Sequence, residues 1–413
     1  SGMKSTQLAG LTTTQIGGFA STQIDDFTTT QLTGVTATQV GSLTTTQVTG
    51  LTSTQLGSFS TSQIGGLKTT QIAVITTTQE SNIKSTQIAV LTTTQLSGFT
   101  TTQLGALTST QQSGIASSQL GSLTTTQMSG FASTQLDDFT TTQLAGLKST
   151  QAAGLTTTQI SGFTTTQIGG LLTSAISGFT STQLGSLTTT QIGGGFKSTQ
   201  ITAFTTTQMS GFASTQLDDL TTTQLDGLTS VQLGGLTTTQ ASGFTTTQLS
   251  SLITSQTSGL TSTQAGALTT TQFNSLITTV IGALTSTQLD GLTTTQAGDM
   301  TTTAMSGLKS SQLGSLTTTQ LGGFASTQID DFTTTQLAGL ASTQVAGLTT
   351  TQLSGATTTQ LGSFNTSQIS GFTTTQLGSL TTTQIGGGFK STQLGAFSTT
   401  QMSGFASTQL DDL

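Results

Sequence analysis

The sequence predicts an all-β protein, a β-solenoid of about 16-residue coils with two octads per coil, and three observations predict it. From Met3 onward the chain is an octad repeat, 51 copies long. Within the octad, positions 1, 3 and 5 are nearly fixed while position 2 varies, the period of two expected of a strand with alternate side chains inward. The residues used are Thr and apolar side chains, many of them β-branched, with small residues at positions 7 and 8, a mixture that favours strands joined by tight turns.

Each octad position has its expected role. Position 1 is apolar and holds 19 of the 20 Phe residues, Phe273 being the exception. Stacked in strands, Leu11, Phe19 and Phe27 form the core. Position 3 is Ser or Thr except at Ala37, and position 5 is Gln except at Ala175, Val280 and Ala304. Inward glutamines Gln7, Gln15, Gln23 and Gln31 form a structural ladder in which each amide hydrogen-bonds its copies above and below. Position 6 is the misfit, because it is usually apolar yet strict alternation points it outward. Either a bend turns it inward, or it forms an exposed stripe that implies lateral packing; Glu80 and Gln112 at this position read as facing solvent.

The rival is an α-solenoid of very short capped helices. Thr at position 2 and Gln at position 5 have capping-box spacing, positions 1 and 6 have staple spacing, and Gly at position 8 could end each helix. That reading suits TTTQ octads. It suits KSTQ and ASTQ less well, since Lys and Ala are poor N-caps and Thr/Gly-rich segments have low helix propensity.

Two longer periods sit above the octad. TTTQ favours even octads, while all seven lysines and all five Asp-Asp pairs fall in odd ones, giving a 16-residue sub-period. A 193-residue period, twenty-four octads plus one glycine in IGGGF, divides residues 1–413 into super-repeats 3–195 and 196–388 and a partial third at 389–413. With no linker between them, they read as one continuous array. The added glycine reads as a bulge that resets the stack, and Ser1-Gly2 as entry in mid-repeat, a segment of a longer chain.

Composition excludes much. Among 413 residues there is no Pro, Cys, His, Trp, Tyr or Arg, and only 5% are charged. Without imidazole, thiol or guanidinium, the Ser and Thr hydroxyls have no partner for nucleophilic catalysis, so the expectation is no enzyme, no catalytic residue and no cofactor. A net charge of −7 with seven lysines argues against nucleic acid. No apolar run approaches the ~20 residues of a membrane span.

Three surface features remain. In TTTQ octads Thr12 and Thr14, then Thr28 and Thr30, would form a hydroxyl lattice spaced ~6.7 Å along strands and ~4.8 Å between coils, a possible ice or surface face. The Asp pairs, Asp25-Asp26 and Asp137-Asp138 with Asp218-Asp219, Asp330-Asp331 and Asp411-Asp412, are weak calcium candidates, since that ion wants six to eight converging oxygens; solvated turns explain them better, and no metal site is expected. Lys4 near Asp25-Asp26 could set register between neighbouring filaments.

The pattern x-S-T-Q-x-x-G, as in Lys4-Ser5-Thr6-Gln7-Leu8-Ala9-Gly10 and Thr108-Ser109-Thr110-Gln111-Gln112-Ser113-Gly114, resembles the octapeptide repeat of bacterial ice nucleation proteins. That resemblance implies a β-solenoid with a 16-residue sub-period and an ice-organising face. The chain departs from the family where Tyr becomes Leu or Phe and Thr-Gln-Thr becomes Thr-Gln-apolar. It is also similar to the Thr/Gln-rich octads of giant secreted bacterial adhesin-like proteins. The resulting expectation is an extracellular or cell-surface structural protein whose partner is itself, a self-associating filament, matrix fibre or adhesin stalk. The alternative is an ice-binding or ice-nucleating solenoid using the Thr face, and a weaker third is a carbohydrate- or surface-binding module.

Overall fold

A computed structural model describes residues 2–411, and among them there are 51 α-helices and no strand. The all-β solenoid is therefore overturned and its helical alternative fits. Each octad is one helix of four to seven residues, here α1 (Ser5–Ala9) to α51 (Ser407–Leu410) in chain order. Position 2 is the N-cap with extended backbone, as at Thr12 (φ −73°, ψ 160°), and positions 3 to 6 are helical. Position 1 of the next octad is often the extended residue that ends the helix, as at Leu51 (φ −67°, ψ 138°), and its N–H donates to the position-6 carbonyl before it. No described residue has positive φ, glycines included, so the chain turns between helices on ordinary backbone alone.

The chain divides into two compact units, Ser1–Gly211 and Phe212–Leu413. Within each, helices stack on the third one along. In the first unit α3 (Ser21–Asp25) packs on α6 (Thr45–Gly50), and α18 (Thr141–Leu144) on α21 (Thr165–Gly170). In the second, α31 (Thr246–Ser251) packs on α34 (Thr270–Ser275) and α45 (Thr358–Leu361) on α48 (Thr382–Gly388). A coil is thus three octads, 24 residues, and not the 16 expected from the odd–even alternation. Because two does not divide three, TTTQ and non-TTTQ octads alternate up each face of a coil.

Positions 1 and 6 of all three helices fill the centre. Phe19 and Phe27 of successive octads meet edge to face at 5.6 Å, and Phe372 and Phe389, two octads apart, meet at 6.0 Å, the geometry that ring quadrupoles favour. Position 6 sits at the N4 helical position, four residues after its N-cap, so it swings inward beneath position 1 as a hydrophobic staple. Val40, Leu56 and Leu104 there are wholly buried, and the exposed-stripe option falls away. Glu80 and Gln112 follow the same path: each is 1% exposed, so neither faces solvent.

At several coils the glycines of positions 7 and 8 are required by close approach. A Cβ on Gly146 would lie 1.8 Å from the Ser117 carbonyl oxygen of the coil before, and one on Gly259 would lie 1.8 Å from that of Ser230. The extra glycines, Gly195 and Gly388, are buried at the ends of the two seven-residue helices, α24 (Thr189–Gly195) and α48. They lengthen a helix by one residue; they are not β-bulges.

Candidate functional site

The feature repeated through both units is the position-5 glutamine. At α20 (Thr157–Ser161) the Gln159 Oε1 accepts the N-cap N–H of Thr156 at 2.9 Å. Its Nε2 donates backward to the carbonyls of Phe131 at 2.7 Å and Met128 at 3.0 Å, 28 and 31 residues earlier. Those are position 1 of the octad three back and position 6 of the octad four back; the position-6 carbonyl also accepts the position-1 N–H, as Met128 does from Phe131 at 3.2 Å, and both lie where a helix ends. One amide therefore caps the start of its own helix and the end of a helix in the previous coil. Both amide hydrogens and the carbonyl oxygen are used, which lets a polar side chain be buried without loss.

The same pairings recur at Gln63 with Val35 and Leu32, Gln264 with Leu236 and Leu233, and Gln368 with Leu340 and Leu337. After the inserted Gly195, Gln200 keeps both partners, Leu171 and Ile168, at offsets of 29 and 32 residues. The glutamines thus form a ladder to backbone, not amide to amide. Of the four chosen from sequence, Gln7, Gln15 and Gln23 are exposed, since the positions 28 residues before them lie outside the sequence, and Gln31 is half-buried. Leu11 and Phe19 are half-buried in this first coil, and Phe27 is buried.

Position 2 supplies only half of the cap. Thr12 Oγ1 accepts the Gln15 N–H at 3.2 Å and donates to Gln15 Oε1 at 3.1 Å; Thr28 does the same with Gln31. At Lys4, Ala20 and Lys197 the hydroxyl is lacking, yet Gln Oε1 still accepts the N-cap N–H at 2.7, 2.8 and 2.8 Å. The glutamine half holds whatever occupies position 2, and for that reason KSTQ and ASTQ octads are helical too. In octad 300–307 Ala304 replaces the glutamine, and Asn274 Oδ1 accepts the Thr301 N–H at 3.0 Å instead.

Thr14 and Thr30 are exposed at position 4, whereas the Thr12 and Thr28 hydroxyls serve their caps. The strand spacings expected for a hydroxyl lattice have no counterpart in short helices. Asp25 and Asp137 end α3 and α17 (Ser133–Asp137), with Asp26 and Asp138 as exposed C-caps. No group of three acidic residues that could hold a metal ion occurs among the described residues, and Asp412 lies outside them. An open groove gathers Lys4, Asp26, Thr28 and Thr30, and its counterpart in the second unit gathers Lys309, Asp331, Thr333 and Thr335. No described helix is long and apolar enough to cross a membrane.

Short helices of one octad, joined by glutamines that cap two helices at once, define a regular repeat protein with a helical, solenoid-like architecture in each unit. No protein family and no curated protein matches the chain.

Proposed function

We propose that the chain is a non-enzymatic structural repeat protein of the extracellular space or cell surface, one that self-associates as a filament, matrix fibre or adhesin stalk. The observation that carries this reading is the glutamine ladder: each octad adds the same hydrogen bonds and the same core side chains, so length is gained in equal increments. Its repeated chemistry, the position-5 amides and the position-1 and position-6 side chains, is used inside the fold, and the resemblance of the Thr/Gln octads to giant adhesin-like proteins agrees with a spacer role. Negative-stain imaging and sedimentation of the full chain over a wide concentration range test it. Assemblies that grow with concentration are expected; single particles of constant mass at every concentration would sink self-association.

The ice-binding alternative retains one supporting feature, the exposed position-4 threonines such as Thr14 and Thr30. An ice-recrystallisation assay separates the two readings. Strong inhibition that disappears when position-4 threonines are changed to Lys would favour the ice face over the stalk.

A further inference from the structure

Three of the 51 position-6 residues are polar: Glu80, Gln112 and Thr257. Thr257 is buried but bonded, its hydroxyl donating to the Ile253 and Thr254 carbonyls at 3.2 and 3.3 Å. Glu80 and Gln112 differ. Each is 1% exposed, and both carboxyl oxygens of Glu80 and both amide atoms of Gln112 lack a hydrogen-bond partner. Their octads are linked through the glutamine ladder. Gln111, the residue before Gln112, donates through Nε2 to the Glu80 carbonyl at 2.8 Å and the Ile83 carbonyl at 2.9 Å. The two helices that carry these otherwise unexplained polar side chains, α10 (Thr77–Glu80) and α14 (Ser109–Gln112), are thus joined by the Gln111 hydrogen bond to the Glu80 carbonyl.

The surroundings offer no charge to compensate. The helices packed on α10, α7 (Ser53–Ser58) and α13 (Thr101–Ala106), carry no titratable residue, and neither does α14. The nearest cations along the chain are Lys84 and Lys68, N-caps of α11 (Ser85–Ala89) and α9 (Thr69–Ile72), and both side chains are exposed.

We propose that the α10–α14 rung is a proton-controlled seam of the first unit: it closes with Glu80 neutral and opens locally when Glu80 ionises. A carboxylate among apolar side chains, without a cation or hydrogen-bond donor, is unstable relative to one in water. Gln112 adds a second buried side chain without a hydrogen-bond partner, on the helix that Gln111 ties to the Glu80 carbonyl, so the cost of unpaired polar groups falls on both helices. Burial accordingly pushes the Glu80 carboxyl from its ordinary 4.5 up to about 8. Since the closed state holds a proton that the open state releases, closure is complete below about pH 4.5, and its advantage falls as pH rises toward about 8. Above that both states are ionised and the loss levels off.

Hydrogen exchange of the full chain, expressed as protection relative to intrinsic amide rates, tests this from pH 4 to pH 10. In the wild type, protection in peptides covering 75–83 and 107–115 is expected to fall by up to about tenfold per pH unit within that window, while peptides of the second unit stay level. E80L is expected to raise protection and remove the slope. E80Q, which is polar but cannot ionise, is expected to remove the slope while staying weak, and Q112L to raise protection while keeping the slope. A wild-type profile level with pH, or a slope that persists in E80L and E80Q, overturns the proposal.

Discussion

A buried glutamine with three backbone partners is costly to remove, because truncation leaves the N-cap donor and the position-1 carbonyl of an earlier coil unpaired and strips one of two donors from the position-6 carbonyl. At Gln159 the alanine variant loses the bonds to Thr156, Phe131 and Met128, an expected cost of roughly 2–4 kcal/mol of local stability. Gln15 is exposed and bonds only within its own octad. Its alanine variant is expected to lose about 1 kcal/mol, the worth of a single helix cap. Hydrogen-exchange protection of the surrounding peptides measures both, and equal losses at the two positions would contradict the double-capping role. The chain's own exceptions obey the same chemistry: Ala175, Val280 and Ala304 are all buried, so a glutamine is replaced by an apolar side chain and not by another polar one.

At the scale of the element, four-residue helices rich in Thr and Ser have no stability of their own, since helix nucleation costs more than so few bonds return. They persist because caps satisfy both ends and because backbone packs against backbone in the neighbouring coil. Position 8 sets that distance. Gly146→Ala would bring a Cβ against the Ser117 carbonyl at 1.8 Å, whereas at Gly10 the nearest atom to such a Cβ is at 3.6 Å. Gly146→Ala is expected to cost about 3 kcal/mol or more, because the obstacle is backbone held on both sides, while Gly10→Ala stays close to neutral. Protection in peptides covering 117–121 and 141–146 reads the difference, and an unperturbed Gly146→Ala would show that the coils can separate without penalty. The capping box and staple were both legible in the octad, at positions 2, 5, 1 and 6. Lys4 or Ala20 at the N-cap removes only the hydroxyl half of the cap, and the amide half, set by the glutamine, holds without it.

For the whole molecule, stability rests on apolar burial and neutral hydrogen bonds, with 5% charged residues. Screening therefore has little to act on. Far-UV circular dichroism is expected to show a helical spectrum, and thermal unfolding at pH 6 to shift little between low salt and molar sodium chloride. A β-type spectrum would contradict the fold, and strong salt sensitivity would contradict the account of what holds it. The 193-residue cycle acquires a meaning here as well. Twenty-four octads are eight sets of three, and the added glycine is taken up inside α24 or α48 while the glutamine partners stay in register.

The sequence by itself determined the octad, the apolar position 1, the near-invariant Gln, the small residues at 7 and 8, the 16- and 193-residue periods, and the absence of the usual catalytic side chains. It left strand and short helix in competition, because a fixed 1-3-5 pattern satisfies both a strand's alternation and a helix's staple and cap. Only the tertiary structure decided between them. The partners of most buried Gln Nε2 groups lie 28 and 31 residues back, and the carbonyl facing position-8 glycines such as Gly146 and Gly259 lies in another coil, distances that no local period encodes. They also fixed the coil at three octads where parity had suggested two, and turned Glu80 and Gln112 from surface residues into buried ones. Local propensity opposed helices of this composition; caps shared between coils and close backbone packing outweighed it.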